Sequence, residues 1–458
     1  MTDFASLPLG APLLQGVDAL GHARMTPVQA HSLPPMLEGR DVIAQARTGS
    51  GKTVAFGLGL LARLDPATIR LQALVLCPTR ELADQVSKAI RRLAAFIPNV
   101  KLLTLCGGMP LGPQLASLVH DPHIVVGTPG RVQELLRKGA LHAGGVKVLV
   151  LDEADRMLDM GFEEAVAEIA GKMPKHHQTL LFSATYPEAI REISAKFQHD
   201  PVEVIVDTAH AEGAIEQRFY EVEPARKLDA LAALLAAHRP ESALVFCNTR
   251  RDTEEVAADL DRRGFSALAL HGELDQRERD EVLVRFANRS CAVLVATDVA
   301  ARGLDIKELP AVIAFDVASD PEAYVHRIGR TGRAGRQGLA LSLCTPRERP
   351  RVAAIEERQG APVAWGTLKL SAPKGKTLTL APMATLVIDG GRRDKMRPGD
   401  ILGALTGEAG LAAEAVGKID VFATRAYVAI RRELADKALR RLREGRIKGR
   451  SFRVRALG

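Results

Sequence analysis

The sequence predicts an α/β protein: two tandem parallel-sheet domains followed by a small α+β domain. Three observations carry this. A chain of 458 residues is too long for one hydrophobic core. Short runs of Val, Leu and Ile alternate with longer amphipathic stretches in two successive series. The balance of charge also reverses toward the end of the chain.

The first series places strands at 42–46, 74–77, 102–106, 124–126, 148–151 and 179–182, and the second at 243–247, 267–270, 292–296, 312–315 and 339–344. These runs are apolar throughout rather than alternating, as strands covered on both faces by helices require. Residues 207–216 lack apolar periodicity and are read as a hinge. A second break, 361–376, holds Pro362, Gly366, Pro373 and Gly375 after a helix expected at 347–358. The domains are therefore expected at 1–206, 217–360 and 377–458.

Net charge is +7, yet residues 363–458 carry 20 Lys and Arg against 9 Asp and Glu, so residues 1–362 are net acidic. So basic a tail points to a polyanionic partner, nucleic acid before an acidic membrane. No apolar run reaches the roughly 20 residues needed to span a bilayer, and residues 1–10 lack a secretory signal pattern, which places the chain in the cytoplasm. Cys77, Cys106, Cys247, Cys291 and Cys344 are odd in number, widely spaced and without a Cys-x-x-Cys pair; they read as buried, reduced thiols.

The strand at 42–46 runs into Arg47-Thr48-Gly49-Ser50-Gly51-Lys52-Thr53 and then a helical pattern. Strand, glycine loop and helix in that order form a phosphate-binding loop. Gly49, Ser50 and Gly51 let backbone N–H groups turn toward phosphates, Lys52 adds a point charge, and Thr53 offers a hydroxyl to Mg²⁺. Asp152-Glu153-Ala154-Asp155 follows the strand at 148–151. Asp152 suits the Mg²⁺ shell, and Glu153 can orient and deprotonate an attacking water.

These two motifs, DEAD and ARTGSGKT, together with nine others in order, resemble the DEAD-box RNA helicase family. The others are GHARMTPVQ (21–29), PTREL (78–82), Gly107-Gly108, TPGR (128–131), SAT (183–185), VFCNT (245–249), QRER (276–279), ATDVAARGLD (296–305) and HRIGRTGR (326–333), the last four falling in the second domain. The resemblance implies RecA-like folds for both α/β domains and ATP with Mg²⁺ as cofactors. It implies adenine contacts from Phe4 and Gln29, a ribose contact from Asp305, and arginine fingers from Arg330 and Arg333. An Asn or Gln amide matches the N6/N7 edge of adenine and refuses guanine. Implied RNA contacts are Arg80, Gly108, Thr128 and Arg131 in the first domain and Arg279, Thr297, Arg302 and Gly303 in the second. Contacts of this kind read the backbone and not the base. Ser183 and Thr185 are implied to couple hydrolysis to domain closure.

In the tail, strands at 385–388, 418–421, 427–430 and 452–454 and helices at 398–406 and 433–443 follow the β-α-β-β-α-β order of an RRM-like sheet. Tyr427 is the one aromatic at the usual stacking positions. Lys395, Arg397, Lys448, Arg450, Arg453 and Arg455 are candidate phosphate contacts. The segments around 389–400 and 447–455 resemble the RNA-binding domain of a bacterial, ribosome-assembly branch of the family. That branch implies a hairpin of large-subunit ribosomal RNA, with its adjacent duplexes and ribosomal precursor particles, as partner. An ATP-dependent RNA clamp or annealing chaperone, and a DNA-directed translocase, are the alternatives.

Overall fold

The computed structural model describes residues 3–46, 49–183, 188–206, 215–301, 309–332, 337–368, 381–407 and 410–457. They fall into two compact units divided near residue 211.

In the first unit, β1 (Val42–Gln45), β2 (Ala73–Leu76), β3 (Leu102–Leu105), β4 (Ile124–Gly127), β5 (Val148–Asp152), β6 (Gln178–Ser183) and β7 (Val202–Ile205) form a sheet in the order β3-β4-β2-β5-β6-β1-β7. All of these pairings are parallel. Alternate residues of each strand feed two hydrophobic clusters, with Val42, Val75, Val150 and Phe182 on one side and Ile43, Leu74, Leu149 and Leu181 on the other. The apolar runs are therefore continuous because both faces are covered. The order brings the carboxyl ends of β5, β6 and β1 side by side, where open parallel sheets place their ligands.

The second unit repeats this layout. Its strands β8 (Ile215–Glu221), β9 (Ala243–Cys247), β10 (Ala267–Leu270), β11 (Val293–Thr297), β12 (Ala311–Ala314), β13 (Gly338–Cys344) and β14 (Trp365–Gly366) lie in the order β10-β11-β9-β12-β13-β8-β14, again all parallel. Residues 215 and 216 begin β8, and Trp365 and Gly366 pair with it, so the sheet takes in residues expected in the hinge and in the linker. All five cysteines are free and buried, as expected. No described helix is long and apolar enough to cross a membrane.

The same unit contains the tail, a four-stranded antiparallel sheet of β15 (Met383–Ile388), β16 (Val416–Val421), β17 (Ala426–Arg431) and β18 (Val454–Leu457) in the order β16-β17-β15-β18. The last strand starts where the expected one at 452–454 ends. One face of this sheet, through Leu386, Ile388, Val428 and Ile430, packs on the helices Pro398–Thr406 and Ala435–Glu444. The other face, where RRM domains stack bases, is covered. Val387, Tyr427 and Leu457 pack against Val284 of the helix Gln276–Ala287. The Thr385 hydroxyl meets the Ser290 hydroxyl at 2.7 Å and accepts from the Asn288 amide at 3.3 Å. Arg455 pairs with Glu281 at 3.4 Å, so this expected phosphate contact serves the seam between that helix and the tail sheet. Tyr427 is 2% exposed, and the expected stacking of RNA on its ring is corrected for this arrangement: its face is spent on protein.

A Val284→Asp substitution puts a charge into that seam, at a cost of a few kcal/mol to the packing. It is expected to make Tyr427 reactive toward a surface-directed tyrosine label while circular dichroism still reports a folded protein. A Tyr427 that stays unreactive in this variant contradicts the seam.

Candidate active site and nucleic-acid interface

Ala46 donates its N–H to the Ser183 carbonyl at 3.0 Å, which ties the start of the phosphate loop to the end of β6. The helix Lys52–Ala62 follows the loop, with Gly51 as its left-handed N-cap (φ 96°). Only glycine fits there: a Cβ on Gly51 would lie 2.5 Å from Gln29 Nε2. First-turn N–H groups of a helix lack intrahelical acceptors, so the loop presents donors and a positive dipole end together.

Three buried polar atoms at these strand ends have no hydrogen-bond partner: Lys52 Nζ, Asp152 Oδ1 and Ser183 Oγ. Lys52 is only 6% exposed. Leaving such groups unpaired is costly in a completed structure, so the trio marks a place built for a charged ligand. Burial pushes the Asp152 carboxyl up to about 7, against the pull of Lys52 and with the help of repulsion from Glu153. A buried carboxylate with an unpartnered oxygen and a Thr53 hydroxyl one residue past Lys52 suit a hard divalent ion such as Mg²⁺.

Glu153 takes a left-handed backbone conformation (φ 55°) that turns the chain off β5 into the helix Ala154–Asp159. Its carboxylate is not free. Arg156, one helical turn on, donates to Glu153 Oε2 at 2.5 Å, with both side chains buried.

Gln29 bridges two elements: its Oε1 accepts from Thr26 N at 2.8 Å and its Nε2 donates to the Gly51 carbonyl at 3.1 Å. One N–H and one lone pair of the amide remain for a base. Phe4 lies in the hydrophobic core, 2% exposed. The ring face expected to meet adenine is covered by protein, because the short 3-10 turn Phe4–Ser6 folds it inward.

The expected RNA residues of the first unit come together. Gly108 (φ 65°) lies against the Arg80 guanidinium, where any Cβ would collide. Gly107 N donates to the Thr128 hydroxyl at 3.1 Å, and Arg131 donates to the Met109 carbonyl at 3.0 Å and to Glu134 at 3.0 Å. In the second unit, Arg279 donates to the Ala300 carbonyl at 2.8 Å, and the Thr297 hydroxyl accepts from Ala300 N at 3.3 Å. Arg330 is buried, next in space to Arg327 through an N–H to its carbonyl. Thr185, Arg302, Gly303, Asp305 and Arg333 lie outside the described residues.

The comparisons with known proteins agree with this geometry. Residues 26–193 match the DEAD/DEAH box helicase family, 226–335 the helicase conserved C-terminal domain, and 385–456 the DbpA RNA binding domain. The ATP-dependent RNA helicase DbpA of Escherichia coli is 53% identical over the whole of both chains. The chain belongs to the DEAD-box RNA helicases. Within that family it is of the DbpA type, an RNA-stimulated ATPase and helicase. The DEAD-box helicase CshA of Bacillus subtilis is 43% identical over 77% of this chain and 72% of its own. Among solved structures, Saccharomyces cerevisiae Dbp5 bound to RNA and ADP BeF3 superposes with a TM-score of 0.73 at 30% identity, over 81% of this chain and 96% of that one.

The tail of this DbpA-type helicase, matched by the DbpA RNA binding domain, carries the remaining candidate residues. Lys395 (φ 58°) and Lys448 (φ 52°) both hold left-handed backbones, and Lys448 Nζ donates to the Lys395 carbonyl at 3.1 Å. Arg397 and Arg450 are exposed nearby in sequence. Sequence reasoning missed a cleft of about 600 Å³ on the helical side of the tail, whose lining includes Lys437, Arg440, Arg446 and Glu444. It also missed Arg327, buried among the Asp298 carboxylate (2.7 and 2.8 Å), the Asn248 side chain (2.7 Å) and the Asp316 carbonyl (2.6 Å). Arg327 thus clamps three segments that carry or adjoin helicase motifs. The signal for Arg156 was present: a basic residue three places after Glu153 at the start of a helix.

The raised pKa of Asp152 has a definite sign. A carboxyl whose folded pKa exceeds its unfolded value holds its proton more tightly when folded, so it lowers stability as pH rises through about 4 to 7 and leaves the full penalty above. Asp152→Asn is therefore expected to raise the melting temperature of the nucleotide-free protein at pH 8, with the gain shrinking toward pH 5. A gain independent of pH rejects this assignment.

Proposed function

We propose that this helicase locally unwinds or remodels duplexes of large-subunit (23S) ribosomal RNA during ribosome assembly, using Mg²⁺ and ATP and targeted by its C-terminal domain. The observation that carries this reading is the full-length likeness to DbpA, which includes the basic domain at 385–456. The resemblance of this domain to the ribosome-assembly branch of the family implies a hairpin of that RNA as its target.

ATP is held by the N–H groups of Gly49, Ser50 and Gly51, by Lys52 on the phosphates and by Gln29 on the adenine edge. Thr53 and Asp152 would hold Mg²⁺, which when bound neutralises phosphate charge. Glu153 orients the water and accepts its proton as the oxygen attacks the γ-phosphorus and the bond to the ADP oxygen breaks. Arg330 and Arg333 meet the developing charge when the two domains close, a contribution of about 10³ to 10⁵ in rate. Asp305 contacts the ribose. Ser183 and Thr185 link the carboxylates to closure. Arg80, Gly108, Thr128, Arg131, Arg279, Thr297, Arg302 and Gly303 grip the RNA backbone without reading sequence. Substrate choice falls to the tail, through Lys395, Arg397, Lys448 and Arg450. Because the sheet face carrying Tyr427 is docked, RNA is drawn to the loops and helical side of that domain.

Lys52→Ala is expected to abolish RNA-stimulated ATP hydrolysis, and Glu153→Gln to lower it about 10²- to 10⁴-fold to a residual rate measurable in single turnover, while RNA binding by the tail persists in both. Measured across an RNA panel, ATPase stimulation is expected to be strong and selective for RNAs bearing the large-subunit hairpin. Equal stimulation by every RNA would reduce the protein to a general DEAD-box enzyme. Removal of residues 377–458 is expected to flatten the dependence of log K on log salt by about 0.7 for each RNA phosphate the tail neutralises. An unchanged slope shows that the tail does not hold RNA.

A further inference from the structure

We propose that Arg156 is a positioning residue for ATP hydrolysis: it holds the Glu153 carboxylate by one oxygen and so fixes the direction of the other. The inference rests on the reading of Glu153 as the group that orients the attacking water.

The local covalent geometry forces the pairing. Glu153 occupies the left-handed region at the turn between β5 and the helix Ala154–Asp159, and Arg156 stands three residues on, within reach along that helix. Arg156 also donates its backbone N–H to Glu153 O at 3.0 Å and to Asp155 Oδ1 at 2.9 Å, which fixes its own start. The guanidinium then reaches Glu153 Oε2 at 2.5 Å, with the Arg156 side chain 4% and the Glu153 side chain 6% exposed. Charge-assisted bonds from a planar guanidinium are directional as well as strong.

Two consequences bear on catalysis. A free glutamate side chain has rotamers that turn its carboxylate away from any bound water, and a guanidinium on Oε2 removes that freedom while leaving Oε1 able to accept a hydrogen bond. The pair also satisfies Glu153 without drawing on Lys52, whose ammonium remains without a hydrogen-bond partner at the phosphate loop. The site thus contains two buried cations with separate duties. Lys52 acts on Asp152 through its charge, and Arg156 holds Glu153 by a direct bond.

The test is a double-mutant cycle on the full chain. RNA-stimulated ATP hydrolysis is measured for Arg156→Met and Arg156→Lys, for Glu153→Gln, and for Glu153→Gln combined with Arg156→Met, with melting temperature and fluorescent-nucleotide affinity recorded for each. Arg156→Met is expected to lower kcat about 10- to 100-fold and to leave the KM for ATP and the RNA affinity within about twofold. Arg156→Lys is expected to recover part of the loss. On top of Glu153→Gln, Arg156→Met is expected to cost nothing further, because its effect passes through that carboxylate. A full additional loss in the double variant overturns the proposal, as does a fall in nucleotide affinity matching the fall in kcat. If Arg156→Met does not fold, Arg156→Lys decides: a partial loss confined to kcat supports the proposal, and a wild-type kcat overturns it. A Glu153→Gln variant that hydrolyses ATP at the wild-type rate is a different result, since it removes the role of Glu153 itself.

Discussion

The organising constraint in this protein is the burial of charge that its own chain does not neutralise. Lys52 and Asp152 sit at the carboxyl-end edge of one parallel sheet, each with a buried atom lacking a hydrogen-bond partner. A fold tolerates that only where the strands are held rigidly by something else, here the two apolar layers on either side of the sheet. On the proposed function, nucleotide and metal would supply the partners these buried atoms lack. Glu153 is treated differently: its charge is answered internally by Arg156, and its orientation is set before substrate arrives.

The second unit buries a charge in the contrasting way, with its partners supplied by the chain itself. Arg327 is fully buried, yet its guanidinium is saturated by Asp298, Asn248 and the Asp316 carbonyl, and lies over the Phe246 ring. Removing one partner of such a network typically costs about 3–5 kcal/mol, so Arg327 is a structural arginine within a motif whose Arg330 and Arg333 are proposed as arginine fingers. Helix Gln276–Ala287 then connects core and tail. Its first turn carries Arg279, and its later turns carry Glu281 and Val284, on which the tail sheet docks.

Much of this is legible in the sequence because it depends on local order. The phosphate loop needs strand, glycines and helix in succession, and the carboxylates need an apolar strand before them; both signals lie within a few residues. What the sequence hides depends on long-range packing. Alternation along β15 and β17 places Val387 and Tyr427 on the outer face of the tail sheet but cannot say that Val284 covers it. Phe4 carries the mark of an adenine contact, while its burial depends on the turn that folds it into the core. Strand β8 escapes a periodicity reading because Glu216, Gln217 and Arg218 break the apolar run, although its Phe219 and Tyr220 are buried. The edge strand β7 presents a single buried apolar residue, Val204, too little for a periodic signal.

The central claim is that nucleotide and metal together supply the missing partners of Lys52 and Asp152. The most direct measurement is the thermal stability of the protein titrated with a non-hydrolysable ATP analogue, in Mg²⁺ and in EDTA. Saturation at about 100 times Kd stabilises a folded site by about 2.7 kcal/mol. The account predicts that this gain appears in Mg²⁺ and requires at least about tenfold more nucleotide in EDTA, a difference of roughly 1.4 kcal/mol in binding. Identical titrations in the two conditions would contradict it, because Asp152 would then be buried for some purpose other than holding the metal.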